Sequence, residues 1–166
     1  VEMGVHTGTH PDAPLHFVEK AKSIDQLDLS RSTVKCNVVQ IDDPEAFTAK
    51  KLKEKELEEE MILFKTENSQ LPVNGELQED HVALTEAGAS YLIYQDIKLL
   101  VIDYLSIEGY EAEGNPVHKM ILGEEIIILE GIRLAEVEAG KYTLIALPLN
   151  IKGSEGTPTR AILLPE

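Results

Sequence analysis

Three of the chain's five histidines and one aspartate fall within the eleven residues His6-Thr7-Gly8-Thr9-His10-Pro11-Asp12-Ala13-Pro14-Leu15-His16. Imidazole nitrogen and carboxylate oxygen are the donors that divalent zinc, manganese or iron prefer, so this crowding reads as a metal site. A helix would also bring histidines four apart onto one face. Pro11 excludes it, because proline inside a helix loses a hydrogen bond and clashes with the preceding turn. In an extended chain the even-numbered His6, His10, Asp12 and His16 project from one side. Full extension from 6 to 16 would span roughly 33 Å, too far for one site, so the segment must bend. Gly8, Pro11 and Pro14 are the residues that allow the bend. The expectation is a strand running into a loop folded around a cation. A loop of solvent-exposed histidines beside turn-forming prolines would explain each residue singly but not their combination.

Donors so close in sequence leave positions open on a metal, and the remainder should come from the ends of other elements. Two candidates stand out. His118 follows Asn115-Pro116, which reads as the start of a short helix, and Glu130 closes the apolar run Ile126-Ile127-Ile128-Leu129 just before Gly131. A carboxylate at the end of a buried strand is costly unless it is paired or bound to a cation. The plainer readings are a strand end reaching solvent and an exposed helical histidine.

The elements that must position these residues can be read in outline. Val1 to Val5 reads as a strand. Val34 to Ile41 is β-branched and reads as a second, with Cys36 as a small buried hydrophobe in it. Thr48 to Glu60 is a charged run, expected to be a solvated helix face. Met61 to Lys65 is a short buried strand and Gln70 to Asp80 a loop. Leu84 to Leu92 starts a helix capped by Thr85, and Lys98 to Asp103 is a buried strand. Asn115 to Leu122 is a short helix with Asn115 as cap and Pro116 at its first position. Glu125 to Ile132, Tyr142 to Ile151 and Thr159 to Leu164 complete the strands. His81 reads as an exposed loop residue. Alternating helical and strand patterns give an α/β class, a single domain over 1–166 with a mixed β-sheet flanked by helices.

Composition narrows the function. The chain has 166 residues, 43% of them hydrophobic, and a formal net charge of −15. That length suits one domain with a substantial core. The acidic balance argues against nucleic acid and against an anionic membrane surface as partners, since both need basic patches. No apolar run reaches the length of a membrane span and none resembles a signal peptide. One cysteine allows no intrachain disulfide, which is consistent with a cytoplasmic location. The chain opens at Val1, only a few residues before the histidine window, so a preceding N-terminal segment is expected.

The window resembles the signature of the metal-dependent cyclase family, His-x-Gly-Thr-His-x-Asp-x-Pro-x-His, carried intact by His6, Gly8, Thr9, His10, Asp12, Pro14 and His16. The resemblance extends over almost the whole chain, through Asp103-Tyr104-Leu105-Ser106, His118, Glu130-Gly131, Leu147 to Ile151 and Gly156 to Arg160. It departs at Val101 and Tyr104, where the family usually has glycine and a small residue. The family includes bacterial kynurenine formamidase, of tryptophan catabolism, and isatin hydrolase. The resemblance implies a cyclase-like swivelling β/α fold and a hydrolase using metal-activated water on an amide, such as N-formylkynurenine, or on a cyclic amide or ester. It implies that His6, His10 and Asp12 bind one metal, that Asp12, His118 and Glu130 complete a second position, and that His16 is the catalytic acid/base. Zinc is the expected ion, with two bound; one manganese is the alternative of the isatin hydrolase branch. A small-molecule substrate and a homodimer or higher homo-oligomer are implied as well. The rival from another class is a non-catalytic metal-binding module, but structural zinc sites are usually closed by four ligands and rich in cysteine. Arg160 reads equally well as a carboxylate-binding or a structural residue.

Overall fold

The computed structural model describes residues 2–42, 46–55, 57, 59–72 and 76–166. Seven strands form one mixed sheet in the spatial order β1 (His10–Asp12), β7 (Ile127–Glu130), β6 (Leu99–Ile102), β4 (Met61–Lys65), β2 (Thr33–Gln40), β8 (Gly140–Pro148) and β9 (Thr159–Pro165). The four middle strands run parallel, while β1, β8 and β9 join antiparallel. Two short strands, β3 (Ala46–Phe47) and β5 (Ala83–Leu84), pair apart from this sheet. The helices are α1 (Ala49–Lys53), α2 (Glu86–Tyr94) and α3 (Pro116–Gly123).

The middle strands are apolar at nearly every position because both of their faces are covered, as parallel strands require. Alternate side chains enter two separate cores. Ile62, Phe64, Leu100, Ile102 and Ile128 face the helices, meeting Leu52 of α1, Leu92 of α2 and Ile121 of α3. Leu63, Leu99, Val101, Ile127 and Leu129 face the other way, against Cys36, Val38 and Leu144 of the same sheet. None of α1, α2 and α3 lies over the second core, where the sheet curls onto itself. Its two ends approach one another: Thr159 N donates to Thr9 O at 2.9 Å, Ala13 N donates to Glu155 O at 2.8 Å, and Asp12 bridges to Gly156. The helices therefore cover one face of the mixed sheet, and the curl covers the other.

Several elements differ from their sequence reading. Residues 2–5 form no strand, and Val1 lies outside the described residues. The first strand starts only at His10, where β7 offers a partner. Within the charged run 48–60, α1 ends at Lys53, and Glu56 and Glu58 lie outside the described residues. Lysines in the last turn suit the negative helix end, whereas the glutamates that follow would oppose it. Val73, Asn74 and Gly75, in the loop expected over 70–80, are also outside the described residues. β7 is shorter than the range 125–132, and β8 starts two residues before the range 142–151 and ends three before its end. Thr85 caps α2 as expected, its Oγ1 accepting from Gly88 N. Asn115 does not cap α3: it sits at φ +52° and its side chain makes no cap bond. His81 is buried rather than exposed, with Nδ1 2.7 Å from Gln78 O and Nε2 2.8 Å from Glu108 O.

Candidate metal centre

Strand register brings the first donors together. In the antiparallel pair β1–β7, His10 lies opposite Glu130 and Asp12 opposite Ile128. Directly opposed residues share a face, and so do residues two apart along a strand. His10, Asp12 and Glu130 therefore all lie on the helix-covered face, at the edge of the sheet. Helix α3 packs on that face through a stripe of Val117, His118, Ile121 and Leu122, the spacing of an amphipathic helix. The stripe delivers His118 to the carboxylates: its Nε2 is 3.3 Å from Glu130 Oε1 and 3.8 Å from Asp12 Oδ2. A single-turn helix at Pro14–His16 follows β1 at once and returns His16 to the same place.

All six residues singled out from the sequence converge. His10 Nε2 stands 3.5 Å from Asp12 Oδ1 and 3.7 Å from Glu130 Oε2. His6 Nδ1 is 2.8 Å from Asp12 Oδ1, and the His6 ring stacks on that of His16 with centroids 4.0 Å apart. Two sets of donors are close enough to share a cation: His10, Asp12 and Glu130, and His6, Asp12 and His16. Asp12 belongs to both sets. It divides its oxygens, Oδ1 toward His6 and His10 and Oδ2 toward His118. The second set brings in His16 beside His6, whereas the family resemblance grouped His6 and Asp12 with His10.

Burial makes this assembly expensive without a cation. Asp12 is 1% exposed, Glu130 3%, His10 3% and His118 5%. Ile107 N donates to Glu130 Oε1 at 2.7 Å, but no backbone donor is found for Asp12 among the described residues. His6 Nε2 and His16 Nδ1 are buried with no hydrogen-bond partner. Donors that ligate at about 2.0–2.1 Å lie roughly 3.3 Å from one another around a tetrahedral ion, close to the separations found here. Carboxylate oxygens, imidazole nitrogens, orphaned lone pairs and spacing all fit a divalent metal.

The titrating groups respond accordingly. The hydrogen bond to Asp12 raises the His6 pKa against the opposing effect of burial. Burial holds the His16 imidazole below its ordinary value, with the neighbouring His6 charge adding to that effect. His118 would be lowered by burial, but the hydrogen bonds to Glu108 and Glu130 push it up to about 10.

Two site residues have no signal in the sequence. Glu108 is 4% exposed and holds His118 from behind, its Oε2 2.9 Å from His118 Nδ1. Glu155 reaches in from the loop before β9, placing one oxygen 3.5 Å from His6 Nε2 and the other 3.6 Å from His16 Nδ1. It directly precedes the Gly156 to Arg160 stretch noted above, which was the only hint of its position. The loop can lie so close because residue 156 is glycine: a Cβ there would sit 2.6 Å from His6 Cε1. Thr9 ties the window to the end of β7, its hydroxyl donating to Gly131 O at 2.8 Å. A cleft of about 770 Å³ opens beside the cluster, lined by His6 and His10 on one side and by Leu77, Leu105, Ser106 and Arg133 on the other. That is ample for a small molecule.

The family model described as "Putative cyclase" matches residues 1–109. The chain belongs to the cyclase family. It is 37% identical over 174 residues to Cyclase-like protein 3 of Arabidopsis thaliana, covering 99% of this chain and 64% of the relative. It is 31% identical over 167 residues to the kynurenine formamidase of Bacillus thuringiensis (strain Al Hakam), covering 98% of this chain and 78% of that enzyme. A solved structure described as a potential metal-dependent hydrolase with cyclase activity superposes with a TM-score of 0.91 at 34% identity, covering 98% of this chain and 80% of the other. The chain thus spans just under two thirds of the length of this plant relative and about four fifths of that solved structure. Its fold is shared with solved structures described as metal-dependent hydrolases. No helix among the described residues is long and apolar enough to cross a membrane.

Proposed function

We propose that the protein is a zinc-dependent amidohydrolase acting on a C–N bond other than a peptide bond, with a formamide such as N-formylkynurenine as substrate. The observation that carries this reading is the divided carboxylate of Asp12, whose two oxygens face different sets of nitrogen donors, two of which, His6 and His10, line a substrate-sized cleft. His6, His10 and Asp12 would hold one ion, and Asp12, His118 and Glu130 a second. When bound, a divalent cation supplies an activated water at neutral pH and a Lewis acid for the substrate carbonyl. His16, whose pKa burial lowers, would take up a proton from that water. It returns that proton to the leaving nitrogen. Glu155, facing both His16 and His6, keeps the His16 ring turned toward the reacting atoms. Leu77 and Leu105 offer an apolar wall for an aryl group, and Ser106 a hydroxyl for its polar substituents. A closed structural zinc site is disfavoured because the one cysteine, Cys36, lies in the core on the opposite side of the sheet.

The test combines metal content with turnover. Purified protein should carry zinc, and a panel of N-formylkynurenine, isatin and lactones should show hydrolysis of the formamide. His16→Ala should keep the metal and lose about 10²- to 10⁴-fold in kcat, the usual contribution of a general acid/base. Asp12→Ala should lose metal and activity together. Wild-type turnover by the His16 variant would remove that residue from the mechanism. Turnover of isatin in preference to the formamide, with one manganese bound, would move the assignment to the cyclic-amide branch.

A further inference from the structure

Helix α3 lacks a cap of its own. The residue at its N-cap, Asn115, is left-handed and contributes no side-chain bond. The first backbone N–H groups of a helix need acceptors, particularly when buried. A carboxylate from another segment fills this need: Glu108 Oε1 accepts from Val117 N at 3.2 Å, and Oε2 accepts from His118 N at 3.0 Å. The same Oε2 lies 2.9 Å from His118 Nδ1. Glu108 is itself fixed, its N–H donating to Ser106 Oγ at 3.1 Å and its carbonyl accepting from the His81 ring at 2.8 Å. One buried carboxylate therefore sets both the start of α3 and the rotation of the ring that α3 delivers.

Resting on the metal-centre reading above, we infer that Glu108 is a positioning residue that holds a proton on His118 Nδ1 and so leaves Nε2 as the nitrogen offered to a cation. A carboxylate can only accept, so Nδ1 must be the donor in that contact. The remaining nitrogen, Nε2, is then the one presented to Asp12 and Glu130. A ligating histidine held this way by a carboxylate loses about 10- to 100-fold in metal affinity when its partner is removed. Glu108 touches neither the cleft floor nor the reacting atoms; it acts entirely through His118.

Glu108→Gln is the informative variant. Its amide oxygen can occupy only one of the two carboxylate positions, accepting either from Val117 N or from His118 N and Nδ1. Either way the charged acceptor becomes neutral and one helix N–H loses its partner, so the hold on the His118 ring weakens. The variant should keep the wild-type circular dichroism spectrum, while its zinc affinity, measured by competition with a chromophoric chelator, falls 10- to 100-fold. His118→Ala run in parallel reads the cation position itself. If His118→Ala weakens zinc binding and Glu108→Gln does not, the role of Glu108 is overturned while the metal centre stands. If neither variant affects zinc, both readings fall. Ring ¹⁵N NMR of the zinc-loaded wild-type protein gives a check that needs no variant: His118 should show a protonated Nδ1 and a ligated Nε2. The reverse pattern would overturn the inference.

Discussion

In the proposed metal centre, His118 has to exchange a proton for a cation. In the metal-free chain burial disfavours its charged form, yet the hydrogen bonds to Glu108 and Glu130 and the charges of Glu130 and Asp12 prevail, and its pKa rises from 6.5 to about 10. A histidine raised in the folded state contributes stability that is complete below its ordinary value and is lost as the pH climbs through the raised one. The protonated ring thus supports the metal-free fold at neutral pH, and a cation at the proposed centre would have to expel the Nε2 proton. Apparent zinc affinity should increase from about pH 6 to pH 8, by up to roughly tenfold per unit where one proton is displaced. Chelator competition at several pH values would measure this, and a flat profile would mean that His118 gives up no proton. At this scale the sequence was most legible where donors lie close together: His6, His10, Asp12 and His16 announce themselves by type and spacing. Glu108 does not. It meets His118 across a ten-residue excursion with no helical or strand period, so nothing local links the two.

Secondary elements were legible wherever one physical cause dominated. The apolar runs of β4, β6 and β7 could only be buried strands, and Thr85 was a cap with a helix behind it. The cap of α3 was misread because Asn115 has the right residue type, while the structure draws its acceptor from Glu108. The pairing of β1 with β7 was also hidden, since a three-residue strand containing Pro11 carries almost no strand signal. Close approach between elements is equally silent in the sequence. Gly88, inside α2, is an example: a Cβ there would lie 2.4 Å from the backbone oxygen of Phe47. Replacing an exposed helical glycine with alanine usually gains about 1 kcal/mol. Gly88→Ala should instead cost about 1–3 kcal/mol, as overpacking does. Urea denaturation would measure the change, and a stabilised variant would mean that α2 and β3 can separate without penalty.

At the scale of the whole molecule, the cluster draws on the segment before β1, on β1 itself, on α3 and on β7, with Glu155 arriving from the loop that closes the curl of the sheet. Binding an ion therefore joins segments from both ends of the chain and should stabilise all of it, by about 2.7 kcal/mol at a free zinc concentration one hundred times Kd. Class and mixed sheet could be read from the alternation of patterns. The curl could not, because it depends on which strand edges meet. The chain also carries its own reporter of this coupling. Cys36, in the middle of β2, is 1% exposed, and burial pushes its thiol up to about 11. A thiol so protonated and enclosed is inert toward alkylating reagents. Its labelling rate then clocks the opening of the sheet, free of interference from any second sulfhydryl. Zinc added at neutral pH should slow that clock, and a rate indifferent to zinc would mean that β2 opens without disturbing the ligands.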